Sequence, residues 1–164
     1  MKIVYLIRHA KSSWDYASLE DKARPLSSRG LSNASLMAKM LRKKEVRPEA
    51  IFSSPALRAM TTATFFKNEL DVAAKDFFLR DELYEVSAGE VVRFITRLPE
   101  DLNTVLLFGH NPAFTSVANI FSENYIANIP TCGIVHIAAE VQTWSGFEPA
   151  KASVSGFFYP KQLK

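Results

Sequence analysis

Lys2-Ile-Val-Tyr-Leu-Ile-Arg-His-Ala-Lys-Ser-Ser-Trp14 is the stretch on which the fold turns. Ile3–Ile7 is an apolar run of strand length, and the chain changes character abruptly at Arg8 and His9. A buried strand that ends in a guanidinium and an imidazole carries both to its carboxyl end. That edge is where open α/β sheets bind their ligands.

The pattern returns twice. Ala50–Phe52 reads as a second short strand, and Ser54 follows as a helix N-cap with Pro55 at the first helical position. Arg58 then falls in the first turn of a helix running to about Leu70. Thr104–Phe108 is a third buried strand, and Gly109-His110-Asn111-Pro112 leads from it into a helix to about Ser122, with Asn111 as cap. Free N–H groups and the positive end of the helix dipole make such junctions natural anion sites. A cleft lined by Arg8, His9, Arg58 and His110 suits a phosphoryl group, because guanidinium forks match phosphate oxygens.

Around these segments, short strands alternate with helical patterns. Leu31, Ala34, Ala38 and Leu41 recur at helical spacing after Ser28 and Gly30. Phe77–Leu79 is a weak strand, Glu90–Leu98 a helix, and Ile134–Ala139 and Ala152–Tyr159 are terminal strands. The expected fold is α/β: a three-layer sandwich in which helices flank a mostly parallel central sheet. No repeat or linker divides the chain, so residues 1–164 are expected to form one domain.

Composition limits the function classes. Of 164 residues, 48% are apolar and 23% charged, which fits a globular protein with a real core rather than a disordered chain. No apolar run approaches the roughly 20 residues of a membrane helix. The first apolar run is also shorter than the core of a signal peptide, about 7–15 residues. Cys132 is the single cysteine, which excludes an intrachain disulfide and favours a reducing compartment. The expectation is a cytoplasmic protein without a membrane partner. Net charge is +3, and no aromatic residues interleave with the basic ones as a nucleic-acid platform requires, so no nucleic acid is expected. Arginines beside both histidines would repel a cation, and Cys132 has no partner cysteine. Neither a metal nor another cofactor is expected. His136, inside a terminal strand, reads as a structural or surface histidine.

Four ordered blocks carry a resemblance. They are Arg8-His9-Ala10-Lys11-Ser12-Ser13-Trp14, Arg24-Pro25-Leu26 before Gly30, Ser53-Ser54-Pro55-Ala56-Leu57-Arg58 and Gly109-His110-Asn111-Pro112. Together they resemble the histidine phosphatase superfamily, and within it the small SixA-like phosphohistidine phosphatases. The resemblance implies a phosphoglycerate-mutase-like fold and a metal-free phosphatase that works through a covalent phosphohistidine. It implies His9 as nucleophile, with Arg8, Arg58 and His110 as the phosphate pocket. Arg24, Ser13 and Asn111 lie within the matching blocks and are further candidate substrate contacts. The family pattern places an acidic general acid after the third strand. Glu82 is the positional match, with Asp81 and Glu85 as neighbours that compete for the role. Ala10 departs from the superfamily, where glycine commonly follows the Arg-His pair, and this separates the chain from the mutases.

An alkyl ester leaves as a basic alkoxide and needs a positioned acid, whereas imidazole leaves far more readily. The short intervals between blocks leave little chain for a lid, so an open site is expected. The favoured substrate is therefore phosphohistidine on a protein. Phosphatases of small phosphate esters, a mutase-like phosphotransferase and a non-catalytic phosphate-binding module are the alternatives.

Overall fold

The computed structural model describes residues 1–16 and 18–164. Its centre is a six-stranded sheet in the order β3-β2-β4-β1-β5-β6. The strands are β1 Lys2–Arg8, β2 Ala50–Ser53, β3 Phe77–Leu79, β4 Thr104–Gly109, β5 Ile134–Ala139 and β6 Ala152–Phe158. β3, β2, β4 and β1 run parallel, while β5 returns antiparallel to β1 and pairs antiparallel with β6.

The helices are α1 Ser28–Lys43, α2 Leu57–Glu69, α3 Ala88–Thr96 and α4 Ala113–Phe121. Strand residues alternate between the faces of the sheet, so two cores form. Ile7, Ile51 and Phe108 pack with Met37 of α1 and Phe66 of α2. Leu6, Phe52 and Leu107 pack on the opposite face with Val91 of α3 and Phe114 of α4. The expected α/β sandwich with its mostly parallel sheet is the fold observed.

Several boundaries move for local reasons. α3 begins at Ala88 rather than Glu90, because Ser87 and Glu90 form a reciprocal capping box. α2 begins at Leu57, two residues after Pro55, and Ser54 is not its N-cap: Ala56 holds that position, while Ser54 Oγ accepts from the Ala56 N–H at 3.2 Å. α4 begins at Ala113 with Pro112 as its cap residue. Asn111 instead reaches into the first turn, where its Oδ1 accepts from the Thr115 N–H. On α1, Ser27 supplies the cap and Leu31 is exposed, so Met37 and Met40 share the buried face with Ala34, Ala38 and Leu41.

The register explains the site. Arg8 is level with Gly109 across the β1–β4 pair, and Ser53 is level with Phe108 across β2–β4. The three central strands therefore end on one line, and the residues that follow them emerge side by side.

Candidate active site

His9 follows β1 directly and is buried, its N–H donating to the Gly109 carbonyl at 3.1 Å. Its Nδ1 lies 2.7 Å from the Ala10 carbonyl oxygen. A carbonyl oxygen only accepts, so Nδ1 carries the proton and Nε2 is left with a free lone pair. Burial holds the His9 pKa down at about 3; the Ala10 hydrogen bond works against this, and the charges of Arg58 and Arg8 and the His110 imidazole add to it. The ring is neutral at neutral pH.

The loop carrying His9 is pinned from both sides. Thr62 Oγ1 accepts from the Ala10 N–H at 3.0 Å and donates to the Arg58 carbonyl at 2.7 Å, which ties α2 to the loop. On the other side, Gly30 lets α1 approach so closely that a Cβ there would stand 2.1 Å from the Lys11 carbonyl oxygen. Ser27, the cap of α1, donates to that same oxygen through both its N–H and its hydroxyl.

His110 follows β4, its ring centroid 5.1 Å from that of His9. Its Nε2 lies 2.8 Å from Ser54 Oγ, and its Nδ1 lies 3.5 Å from Arg58 Nη2. A guanidinium nitrogen can only donate, so Nδ1 is the acceptor and the ring's proton sits on Nε2, facing Ser54. Burial, with Arg58 and Arg8 adding and Asp21 opposing, lowers the His110 pKa to about 4. Tyr84 stacks edge-on against the His110 ring at 5.4 Å.

Arg58 is nearly buried on the first turn of α2. Its Nη1 donates to the Asp21 carbonyl at 2.7 Å and its Nη2 to Asp21 Oδ2 at 2.9 Å. Tyr84 donates to the same Oδ2 at 2.8 Å, and Arg24 Nη1 lies 3.4 Å from Oδ1. Burial alone would raise the Asp21 pKa, but the hydrogen bonds from Tyr84, Arg58 and Arg24 outweigh it and hold the carboxyl below its ordinary value. Burial and the bond to Asp21 push the Tyr84 hydroxyl up to about 12. Arg8 donates through Nη1 to the Ile129 carbonyl at 2.9 Å, while its buried Nε has no partner among the described residues.

The structure thus brings Arg8, His9, Arg58 and His110 to one edge, and it places the remaining candidates differently. Asn111 spends its amide on the fold: Nδ2 donates to Asn128 Oδ1 and to the Ile129 carbonyl that also takes Arg8, so it braces Arg8 from behind. Ser13 Oγ accepts from the Asp15 N–H. Arg24 binds Ser12 Oγ at 2.6 Å, its guanidinium carbon lies 3.4 Å from the centroid of the Trp14 ring, and it is linked to Arg58 through Asp21. Glu82 is exposed and forms no hydrogen bond or ion pair among the described residues. It lines a cavity of about 390 Å³ with Arg80, Arg93 and Phe94, which neither His9 nor His110 lines. The carboxylate that stands with Arg58 is Asp21, from a single 3-10 turn at Asp21–Ala23. His136 lies outside the site, stacked on Tyr5 at 4.5 Å.

Sequence reasoning missed Asp21, Tyr84 and Thr62, and it read Ser54 as a cap only. Thr62 carried a usable signal, since it lies four residues after Arg58 and so shares its helix face. Asp21 and Tyr84 lie in non-periodic segments that offered none.

Comparison with known proteins defines the family. Residues 4–93 match the family model of the histidine phosphatase superfamily (branch 1). An uncharacterized protein of Mycobacterium tuberculosis is 28% identical over 94% of this chain and 100% of its own. Phosphohistidine phosphatase SixA of Escherichia coli is 30% identical over 66% of this chain and 67% of that protein. The structure of a protein histidine phosphatase SixA complexed with tungstate superposes with a TM-score of 0.83 at 23% identity, covering 99% of each chain. The chain belongs to the histidine phosphatase superfamily, and it is a phosphatase with a histidine nucleophile. No helix among the described residues is long and apolar enough to cross a membrane.

Proposed function

We propose that this protein removes phosphate from phosphohistidine on a protein, with His9 as the nucleophile. The observation that carries the reading is the bond from His9 Nδ1 to the Ala10 carbonyl, which leaves Nε2 free beside Arg58 and His110. Arg8 and Arg58 hold the phosphoryl oxygens, and their fixed charge stabilises the charge spread over those oxygens in the transition state. His110 Nδ1, beside Arg58, takes up a proton when the anionic group arrives and becomes a further donor to it.

In the first step the His9 Nε2 lone pair forms a bond to phosphorus while the bond from phosphorus to the substrate nitrogen breaks. Its electron pair returns to the substrate ring. If that ring carries a proton on its distal nitrogen, it departs as neutral imidazole without further proton transfer. Phospho-His9 then carries a positive ring, because Nδ1 keeps its proton against Ala10. Water attacks phosphorus, the P–Nε2 bond breaks, and His9 returns to its neutral form as the water proton passes to solvent.

Neither step needs a general acid, which suits a site where Glu82 lines a cavity without either histidine and Asp21 is held ionised. Ester substrates, whose alkoxide must be protonated, fit this arrangement poorly. The protein partner is the phosphoprotein itself. The absence of any cysteine pair accords with work in the cytoplasm, and residues 1–164 are read as one histidine phosphatase domain.

The test compares wild type and His9→Ala on a labelled phosphohistidine protein and on alkyl and aryl phosphates, with excess chelator present. The reading expects phosphohistidine to be the preferred substrate, with turnover retained in chelator and lost in the variant. A preference for alkyl esters, or loss of activity with chelator, would overturn it.

A further inference from the structure

Beside an anion pocket, a carboxylate is a liability. Asp21 nevertheless sits against Arg58, held by three side chains: Arg58 at 2.9 Å, Tyr84 at 2.8 Å and Arg24 at 3.4 Å. Arg58 Nη2 lies between this carboxylate and His110, so a phosphoryl group bound at Arg58 and His110 has the carboxylate as a close neighbour. At such range like charges repel, though the half-exposed carboxylate is partly screened by solvent. An anion site that keeps a carboxylate in place favours a ligand that brings its own positive charge.

Direction matters as well. His9 is buried beneath the site, and in-line displacement puts the leaving group opposite the attacking Nε2, toward solvent. The Asp21 side chain is about half exposed, at 49%, while that of Arg58 is 9% exposed, so the carboxylate stands on the outer side of the guanidinium. Oδ2 is taken by Arg58 and Tyr84. Among the described residues Oδ1 has only the long contact with Arg24, so it retains accepting capacity.

We infer that Asp21 is a specificity-determining residue that accepts a hydrogen bond from the distal N–H of the substrate's phosphoimidazole ring and so selects phosphoramidates over phosphate esters. The inference rests on the reading of this site as a phosphohistidine phosphatase. The bond keeps the distal nitrogen protonated before attack. When the P–N bond breaks, its electron pair neutralises the ring, and imidazole departs with that proton still in place. An ester has no such N–H to offer and meets only the repulsion.

Asp21→Asn keeps the contacts with Arg58 and Tyr84, because the Asn Oδ1 in the place of Oδ2 can still accept from both, while its amide NH2 removes both the charge and the free acceptor beside Arg24. Two measurements on wild type and variant decide it. Titration calorimetry with inorganic phosphate is expected to show at least threefold tighter binding in the variant, since a bare anion gains from losing the carboxylate. The ratio of kcat/KM for a phosphohistidine protein to that for p-nitrophenyl phosphate is expected to fall at least tenfold. If phosphate binding weakens and both substrates suffer alike, Asp21 merely positions Arg58 and the inference is overturned, with the phosphohistidine reading intact. Should wild type itself fail to turn over phosphohistidine, both fall.

A third measurement needs no variant. Imidazole added at about pH 6, where much of it is protonated, is expected to strengthen phosphate binding to wild type severalfold. Absence of that synergy overturns the inference.

Discussion

His9 Nδ1 donates to the carbonyl of Ala10 across 2.7 Å, and this one bond sets the chemistry of the site. It fixes the tautomer and leaves the Nε2 lone pair free, and in the proposed mechanism it leaves the ring ready to carry a positive charge once phosphorylated. The partner is a backbone atom of the next residue, so the device depends on the path of the loop rather than on a second side chain.

The first prediction concerns protonation. His9 titrates at about 3 and His110 at about 4, both below the ordinary 6.5. Between those values the unfolded chain binds protons that the native state does not. The two histidines therefore make stability fall as pH drops below about 6.5, and their contribution levels off below about 3. Both rings are expected to stay neutral from pH 7 to pH 5 in the free protein, read from imidazole nitrogen shifts by NMR. A His9 ring with Nε2 protonated at pH 6 would remove it as a ready nucleophile. On adding inorganic phosphate, the His110 resonance is expected to move toward the protonated form.

Ser54→Ala removes the acceptor for the His110 Nε2–H, which stands at 2.8 Å. The imidazole loses its orientation while Arg58 and His9 stay in place. A hydrogen bond of this kind contributes about 1 kcal/mol, so kcat/KM is expected to fall about fivefold to tenfold. The loss should fall mainly on kcat, since an oriented donor matters most to charge developing in the transition state. Unchanged kinetics would mean that Ser54 serves the backbone at Ala56 alone.

Gly30→Ala probes the approach of α1 to the loop after His9. A Cβ there would meet the Lys11 carbonyl oxygen at 2.1 Å, which is backbone and cannot swing aside. Overpacking of this kind costs about 1–3 kcal/mol. Thermal unfolding should show that loss, and the displaced loop should lower kcat as well. A variant as stable and active as wild type would show that the loop is not held from this side.

Much of the fold could be read in the sequence because its strands are short, apolar and sharply ended. Ile134–Ala139 matches β5 at both ends, and the edge carrying Arg8, His9, Arg58 and His110 follows from three strand ends in register. Glu82 lies in a single 3-10 turn and lines a cavity that neither His9 nor His110 lines, and position after a strand says nothing of the direction a side chain takes from such a turn. Asp21 was hidden for the opposite reason. It lies in a non-periodic stretch and becomes part of the site only when Arg58, thirty-seven residues on, reaches back to it. Ser54 misled more mildly, since its hydroxyl does accept a backbone N–H but its larger task is His110.

The nucleophile itself can be observed. Wild type mixed with labelled phosphohistidine protein and quenched within one turnover is expected to carry phosphate on His9 Nε2, stable to base and labile to acid, found by peptide mass spectrometry. The label should be absent from His9→Ala and present in wild type under excess chelator. Phosphate found on His110, or turnover with no phosphoenzyme at any quench time, would contradict the account.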